Sequence, residues 1–460
     1  MTVNRMKSLL AAGCALAALA PAAGHAQSGD IEARLARMEA EISALRAELA
    51  AERARNASVA TTVERISAAP APAPVAPAAP AASADGFRVG ATTVKLNGFI
   101  KAEAMYSDFQ DGDPATGSLE RDFYVPGSTP VGGRSEGAKF DSHIKQTRLW
   151  FTTSTPVGDR KLNGHVEFDF QSAPGTQGDG RATNAYNFAV RRAFFSYGPW
   201  SFGQDWSTFQ NTSVLPETTD FIGATDGTVF VRQPQIRYTS PSGWVFAIEN
   251  PETTVSTFAT STRIVADDSS LPDAVLRYNG KSASGGVEYS IAGIVRPLSY
   301  EGPGGVVGVR TIAVDDDVLG WGVTAAAKFK IGKTDDVRLM VTGGEGIGRY
   351  VALNFTNDVR VTPAGGLEGI PLVAAFVNYR HFWTERTRST FGVNTISVDV
   401  DRATMGAGAS KAATSYYANL FWSPAKGFDL GVEFRHANRE LESGLEGALN
   451  RIHFVAKQTF

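Results

Sequence analysis

From about residue 93 onward, apolar and polar side chains alternate with a period of two, in runs separated by turn-forming residues. Val166, Phe168 and Phe170 alternate with His165, Glu167, Asp169 and Gln171. Leu319, Trp321, Val323, Ala325, Ala327, Phe329 and Ile331 alternate with Gly320, Gly322, Thr324, Ala326, Lys328 and Lys330. Phe428, Leu430, Val432 and Phe434 do the same against Asp429, Gly431, Glu433 and Arg435. Successive side chains of a strand point to opposite faces, so each run reads as a strand with one apolar and one polar face. The pattern predicts sixteen strands near 94–106, 145–156, 161–171, 186–198, 200–206, 233–240, 243–250, 272–279, 284–295, 318–331, 335–344, 371–382, 386–398, 413–423, 427–437 and 450–460.

The connections carry more information than the strands. Short ones, such as 157–160, 198–199, 241–242, 332–334 and 424–426, take turns with long ones. The long ones cover about 107–144, 172–185, 207–232, 251–271, 296–317, 345–370, 399–412 and 438–449. A soluble sandwich has no reason for this asymmetry, whereas an outer-membrane barrel places tight turns in the periplasm and long loops outside. Trp200, Trp244 and Trp422, with Tyr197 and Phe382, lie beside the short turns as an interfacial girdle requires. The last strand ends Ile452, Phe454, Ala456, Gln458, Phe460 on one face, so Phe460 is the expected assembly signal for the barrel-assembly machinery. The fold class predicted is an all-β, sixteen-stranded antiparallel transmembrane barrel over 93–460.

The first 92 residues are built differently. Arg5 and Lys7, an apolar run from Ser8 to Ala20 and a small-x-small ending at Ala26 make 1–26 a secretory signal. A lipoprotein-like box, Ala11-Ala12-Gly13-Cys14, competes with it but would leave too few apolar residues after Lys7. In 27–67, Ile31, Leu35, Met38, Ile42, Leu45 and Leu49 repeat at alternating spacings of four and three, the seam of a coiled coil. Arg34, Glu41 and Glu48 at g oppose Glu39, Arg46 and Arg53 at e, which favours a parallel homo-oligomer over a lone amphipathic helix. The seam leaves the number of helices open. Residues 68–92, with Pro70, Pro72, Pro74, Pro77 and Pro80, form an extended tether.

Composition removes whole classes of function. The 460-residue chain carries 44 Lys+Arg against 47 Asp+Glu, a net charge of -3, which excludes nucleic-acid binding through bulk positive charge. The single cysteine, Cys14, falls in the signal, so disulfides, thiol catalysis and Cys-ligated metals are not expected. Neither a catalytic residue set, a metal site nor a cofactor is predicted. His381 and His436 are the plausible bases for a barrel lipid hydrolase, but neither is accompanied by a serine elbow. Asp267-Asp268 and Asp315-Asp316-Asp317 read as hydrated surface acids in preference to a divalent-cation site shared with lipopolysaccharide.

Four segments carry a family resemblance. They are Leu96-Asn97-Gly98-Phe99-Ile100-Lys101, Gly203-Gln204-Asp205-Trp206-Ser207-Thr208-Phe209, Pro216-Glu217-Thr218-Thr219-Asp220-Phe221 and Arg232-Gln233-Pro234-Gln235-Ile236-Arg237-Tyr238. With them the chain, from Lys95 to Phe460 and in its coiled coil, resembles DcaP-like trimeric outer-membrane porins. The resemblance implies a homotrimer in outer-membrane lipid, N-terminal helices in the periplasm and uptake of small, often anionic solutes.

Strand parity gathers a basic inner face: Lys95, Lys101, Arg148, Arg191, Arg237, Arg277, Arg296, Lys328, Lys330, Arg338, Arg380, Arg388 and Arg435. Fewer acids share it: Glu103, Glu167, Asp169, Glu249, Asp273, Glu288, Asp429 and Glu433. Lys101, Arg148, Arg191, Arg237, Arg277, Arg338, Arg380 and Arg435 are the expected selectivity residues, with Arg148, Arg191, Arg237 and Arg380 foremost. Arg191 and Arg192 are adjacent, so parity sends one of them outward or into an interface. The 207–232 loop is expected to fold inward, with Glu217, Asp220, Asp226 and Arg232 at a constriction. Its acids would face the basic wall across the aperture and set up a transverse field. The function expected is passive diffusion of small hydrophilic, preferentially anionic solutes such as carboxylates. Its rivals are a closed envelope-tethering barrel and an outer-membrane lipid hydrolase.

The coiled coil yields a direct test. Replacing Leu35 and Ile42 by Asp should lower the helical circular-dichroism signal and loosen the N-terminal helices while leaving the barrels associated. Unchanged helicity together with unchanged thermal behaviour would refute the seam.

Overall fold

In lipid, a backbone N–H or C=O without a partner costs several kcal/mol, so a sheet crossing a membrane has to close on itself. The computed structural model describes residues 86–171 and 183–460; the signal, the Ile31–Leu49 seam and the 68–85 part of the tether lie outside the described residues. Sixteen strands form the closed sheet. They are β1 (Thr92–Phe109), β2 (Arg148–Val157), β3 (Arg160–Asp169), β4 (Ala189–Tyr197), β5 (Trp200–Trp206), β6 (Arg232–Thr239), β7 (Trp244–Glu249) and β8 (Asp273–Lys281). They continue as β9 (Val287–Val307), β10 (Arg310–Ile331), β11 (Asp335–Glu345), β12 (Pro371–Phe382), β13 (Thr387–Val398), β14 (Ser410–Ala425), β15 (Phe428–Leu441) and β16 (Glu446–Thr459). Each pairs antiparallel with its chain neighbour. The ring closes where β16 meets β1, from Phe99↔Thr459 to Phe109↔Leu449. Gly98 and Phe460 lock that seam by exchanging both backbone bonds, at 3.1 and 3.0 Å. Above β2, the short strand Lys139–His143 continues the wall against β1.

The two faces differ as the alternation requires. Leu96, Ile100, Phe151, Phe195, Ile291, Val323, Val377, Phe391 and Phe454 are exposed on the outside. Trp200, Trp244, Trp383 and Trp422 are exposed beside the tight turns.

Two sequence expectations need correction. The stretch 296–317 is not a loop: β9 and β10, 21 and 22 residues long, pair as far as Val307↔Arg310. A tilted membrane strand needs about 9–11 residues, so this hairpin rises well past the bilayer. Its apolar side (Leu298, Tyr300, Ile312, Val314) is buried against Val255, Ala266, Val359, Val361 and Leu367. Those belong to a separate four-stranded sheet made by the segments Thr253–Ser256, Arg263–Ala266, Val359–Val361 and Leu367–Gly369. The surface acids help to build it, since Asp316 accepts from Leu367 N at 2.7 Å and Asp268 from Glu301 N at 3.0 Å. The stretch 438–449 is likewise a tight hairpin between β15 and β16.

The second correction concerns the inner face. It is charged along one part of the wall and apolar along another. Val275, Ile294, Met340, Leu372, Phe376, Ile396 and Val398 point inward from β8 to β13 and are buried against Phe209, Val214, Val229, Ile347, Tyr350, Val351 and Phe355. Part of the barrel therefore encloses a dry core made by its own loops. Burying each large apolar side chain contributes roughly 1.5–3 kcal/mol, enough to hold those loops inside.

The seam gives a steric prediction. A Cβ on Gly98 would lie 2.6 Å from the Arg148 carbonyl oxygen and 3.1 Å from the Phe460 ring. Gly98→Val should cost about 1–3 kcal/mol through overpacking and lower the heat-modifiable, folded fraction on semi-native gels. Gly293→Ala, whose nearest neighbour is Gly322 O at 3.9 Å, should fold like the unsubstituted chain.

Candidate functional site in the barrel interior

The segment between β5 and β6 turns into the barrel and is fixed to the wall on many sides. Its base closes where Ser207 N donates to Val231 O at 3.0 Å. Asn211 reaches Ser290 on β9 at 2.8 Å, and Arg338 on β11 donates to Leu215 O. Glu217 grips Arg388 on β13 through two bonds of 2.7 and 2.6 Å and lies 3.8 Å from Arg380 on β12. Thr219 accepts from Lys101 Nζ on β1 at 2.6 Å, and its own N–H donates to Glu433 on β15 at 3.1 Å. Arg435 donates to Gly223 O at 2.8 Å. The loop backbone lies flat on β12 at Gly227, where a Cβ would meet Ala375 O at 2.2 Å. Only glycine allows that approach.

Those contacts revise the expected transverse field. Glu217 is neutralised in direct contact with Arg388 and is not separated from it by water. Asp226 is fully buried, accepting from Tyr124 Oη at 2.6 Å and from the Ser415 hydroxyl. Asp220 accepts from Tyr124 N at 3.1 Å. Burial works against the charge of both aspartates. Arg435, His453 and Arg451 nevertheless bring Asp220 below the ordinary carboxylate range, whereas Asp226, despite Ser415, Tyr124 and Arg435, is pushed up to about 6.

A second loop, between β11 and β12, also folds inward, which the sequence reading missed. Val229 bridges Val351, Phe230 N donates to Tyr350 O at 2.9 Å, and Ala352 N donates to Thr228 O at 3.0 Å. Beneath it Arg296 is sealed from solvent, bonded to Asp273 at 3.0 Å, Asp358 at 2.6 Å and the carbonyls of Gly346 and Glu252. Tyr350 Oη caps the group by donating to Asp273 at 2.7 Å. This inward-facing arginine is a structural tie. The density of apolar residues in the segment, from Ile347 through Tyr350, Val351 and Phe355 to Ile370, was the available signal.

The remaining basic residues gather along β1 to β8. Arg191 and Arg192 both face the interior, correcting the parity argument. Glu167 pairs with Arg192 and Phe168 with Val190, so Arg191 is the extra residue of a β-bulge. Arg191 bonds Glu167 at 2.8 Å and Asp169 at 2.5 Å, and Arg192 bonds Asp205 at 2.6 Å. Arg148 stands 3.6 Å from Glu167 and 3.5 Å from Asp169. Arg237 bonds Asp205 at 3.1 Å. These cations are interleaved with rings. Arg148 sits over Phe99 and Phe221 at 5.5 and 5.9 Å, and Arg191 over Phe221 and Trp206 at 5.0 and 5.9 Å. Arg232 sits over Trp206 and Phe230 at 5.1 and 5.9 Å. Such contacts are worth about 0.5–2 kcal/mol each and hold like charges apart.

Charge in this sector does not balance: Arg148, Arg191, Arg192 and Arg237 share Glu167, Asp169 and Asp205. Among the described residues no carboxylate stands within ion-pair distance of Arg232 or Arg277. Arg277 is held by the carbonyls of Thr208 and Gln210, at 3.2 and 2.7 Å. Accessibility then sorts the expected selectivity residues. The side chains of Arg191 and Arg435 are 2% exposed, against 22% for Arg148, 23% for Arg192, 16% for Arg237 and 23% for Arg380. Lys101 (3.0 Å from Glu103) and Arg435 (3.2 Å from Glu433) are buried ties, while Arg338 shares Asp336 with Arg380. His381 is held by Asp335 at 2.7 Å and His436 by Asn450 at 2.8 Å; neither ring is hydrogen-bonded to a serine among the described residues.

A closed sixteen-stranded barrel with an apolar exterior, tight turns at one end and inward loops at mid-barrel is an outer-membrane porin. The family model described as DcaP outer membrane protein matches residues 81–460, and the chain belongs to that family. The outer membrane channel DcaP of Acinetobacter baumannii superposes with a TM-score of 0.65 at 26% identity, covering 82% of this chain and 99% of that one. A loop L8 deletion mutant of OmpT from Vibrio cholerae gives 0.51 at 15% identity, covering 80% and 100%. Outer-membrane expressed OmpT of Vibrio cholerae gives 0.50 at 14%, covering 81% and 99%. Among curated proteins, none matches the sequence.

The raised Asp226 makes the loop anchor acid-stabilised. The folded chain holds this proton up to about pH 6, the unfolded chain only to about 3.9. The anchor is therefore strongest below the unfolded value and weakens as pH rises through about 6, by roughly 3 kcal/mol in all. Hydrogen exchange over 207–231 should be slower at pH 5 than at pH 7.5 after correction for intrinsic rates, and Asp226→Asn should remove the difference. Equal protection at both pH values would refute the assignment.

Proposed function

We propose that this porin passes small hydrophilic solutes by passive diffusion, with a preference for anions such as carboxylates. The observation that carries the reading is the cluster on β2 to β6, where Arg148, Arg191, Arg192 and Arg237 share three carboxylates and Arg232 has none within ion-pair distance among the described residues. Fixed cations in a low-dielectric wall raise the local anion concentration and repel cations without a tight binding site. Arginine suits the task because its fork takes a carboxylate through two parallel bonds and stays charged at any relevant pH. Arg148, Arg192, Arg232, Arg237 and Arg277 are the proposed contacts, with Arg380 on the opposite wall. Arg191 and Arg435 act as supports. Solvent-reachable guanidiniums inside the barrel also favour an open channel over a closed tether. The family resemblance supports a homotrimer, and the heptad seam a parallel assembly of its N-terminal helices in the periplasm.

The test is a reversal potential in a planar bilayer under a salt gradient. The unsubstituted channel should be moderately anion-selective, the more so at low salt, since screening shortens each charge's reach to about 3 Å at 1 M. Arg232→Gln, Arg237→Gln and Arg148→Gln should each move the potential toward cation selectivity. A cation-selective unsubstituted channel would sink the proposal.

A further inference from the structure

At the loop end of the barrel, against the second inward loop, lies a cavity of about 290 Å³ that the 207–232 loop does not line. It is lined from five segments, among them Ser128, Ser256, Arg263, Asn357, Ser410 and Arg439. Its two cations have only neutral partners. Arg263 donates to Asn357 Oδ1 at 2.8 Å and Asn354 O at 2.5 Å. Arg439 donates to the Ser410 hydroxyl at 3.2 and 2.8 Å and to Thr129 O at 2.9 Å. A guanidinium has five N–H donors. Arg263 spends two and Arg439 three, and no carboxylate of the described residues is within ion-pair distance of either. Asp358, the acid that acts on Arg263 from farther off, is already held by Arg296, the N–H of Arg349 and Thr254.

The backbone beside the cavity is strained. Ala352, Leu353 and Asn354 have φ of 51°, 58° and 59°, three consecutive non-glycine residues in the left-handed region. Each costs about 1–2 kcal/mol, and such strain persists only where its surroundings impose it. Here the buried Val351 and Phe355 pin both ends of the turn. The turn delivers the Asn354 carbonyl to Arg263 and so fixes that guanidinium on the cavity wall. Arg439 lies on the inward face of β15, two residues beyond the buried Ala437, which places the cavity inside the mouth and away from lipid.

We infer that this cavity is a binding site for a small, doubly charged oxyanion free in solution, with Arg263 and Arg439 as its paired cations and Ser256, Asn357 and Ser410 orienting them. The cavity shares no lining residue with the 207–232 loop, so it stands whether or not the aperture itself prefers anions. Its position makes it a capture point at the mouth, where a solute sheds part of its hydration before meeting the arginines below.

The test uses the full-length protein in detergent, titrated calorimetrically with glutarate and, separately, with inorganic phosphate. Saturable binding of either dianion is expected, with no heat from the monoanion butyrate at equal concentration. Arg263→Gln with Arg439→Gln should weaken binding by about tenfold or more, as loss of charge-assisted hydrogen bonds does. Arg263→Gln alone, at the exposed edge of the site, should give a smaller loss and guards against misfolding of the double variant. Arg232→Gln, in the constriction, should bind as the unsubstituted protein does. Absence of dianion binding, undiminished binding in both cavity variants, or loss of binding in Arg232→Gln alone would overturn the inference. None of those outcomes bears on the selectivity of the aperture, which the reversal potential decides by itself.

Discussion

Closing the sheet is the constraint from which the rest of this structure follows. Every strand edge in lipid must find a partner, so β16 returns to β1 and the Gly98–Phe460 exchange completes the ring. A closed sheet has an inside, and the inside of a sixteen-stranded ring is too wide for wall side chains to fill alone. The chain fills it with two of its own loops. Those loops carry polar backbone into a low-dielectric space, and each carbonyl and carboxylate they bring needs a donor. The wall arginines supply many of them: Arg338 to Leu215, Arg435 to Gly223, Arg277 to Thr208 and Gln210. Interior basic charge is thus required by the architecture before any question of solute arises.

That requirement separates two kinds of arginine. Arg296, Arg191 and Arg435 are surrounded by carboxylates, carbonyls and rings, and removing one would strand buried acids. Arg148, Arg192 and Arg237 keep part of the guanidinium in solvent, and they share carboxylates with neighbours of the same sign. Their charge is incompletely cancelled, so their field reaches the aqueous path. Aromatic rings make the crowding tolerable. Phe221 lies between Arg148 and Arg191, and Trp206 between Arg191 and Arg232, so each cation meets the negative face of a ring where it would otherwise meet its neighbour.

Much of the barrel was legible in the sequence because its rules are local. The bounds expected for β5 and β12 coincide with those observed, since Gly198-Pro199 and the girdle aromatics mark where chain leaves membrane. Side-chain parity placed Leu319 to Ile331 toward lipid and Arg148, Glu167 and Asp169 inside. What stayed hidden depends on partners distant in sequence. Pro303, Gly304 and Gly305 made the β9–β10 hairpin read as a loop, although Leu298, Tyr300, Ile312 and Val314 kept the strand alternation. Their apolar side is matched by segments from two other loops, which no local pattern announces. Parity also assigns a face without assigning a neighbour. Arg296 and Arg237 share the inner face, yet one is sealed beneath the second loop and the other reaches water. The bulge at Arg191 breaks parity itself, and only the register of β3 against β4 reveals it.

The two loops hold each other as firmly as the wall holds them. The Val229–Val351 bridge and its flanking bonds tie them through backbone groups, while Phe209, Val214, Ile347 and Phe355 close a common core. Moving one loop would break those bonds, expose that core and leave Glu217, Thr219 and Gly223 without their wall donors. A displacement needing so many simultaneous losses is rare on the timescale of a solute's passage. The constriction therefore behaves as a fixed part of the barrel, set off-centre by the dry core on one side. On the proposed reading, solutes that cross it are sorted by fit to that aperture and by the field of the unbalanced arginines on the other side.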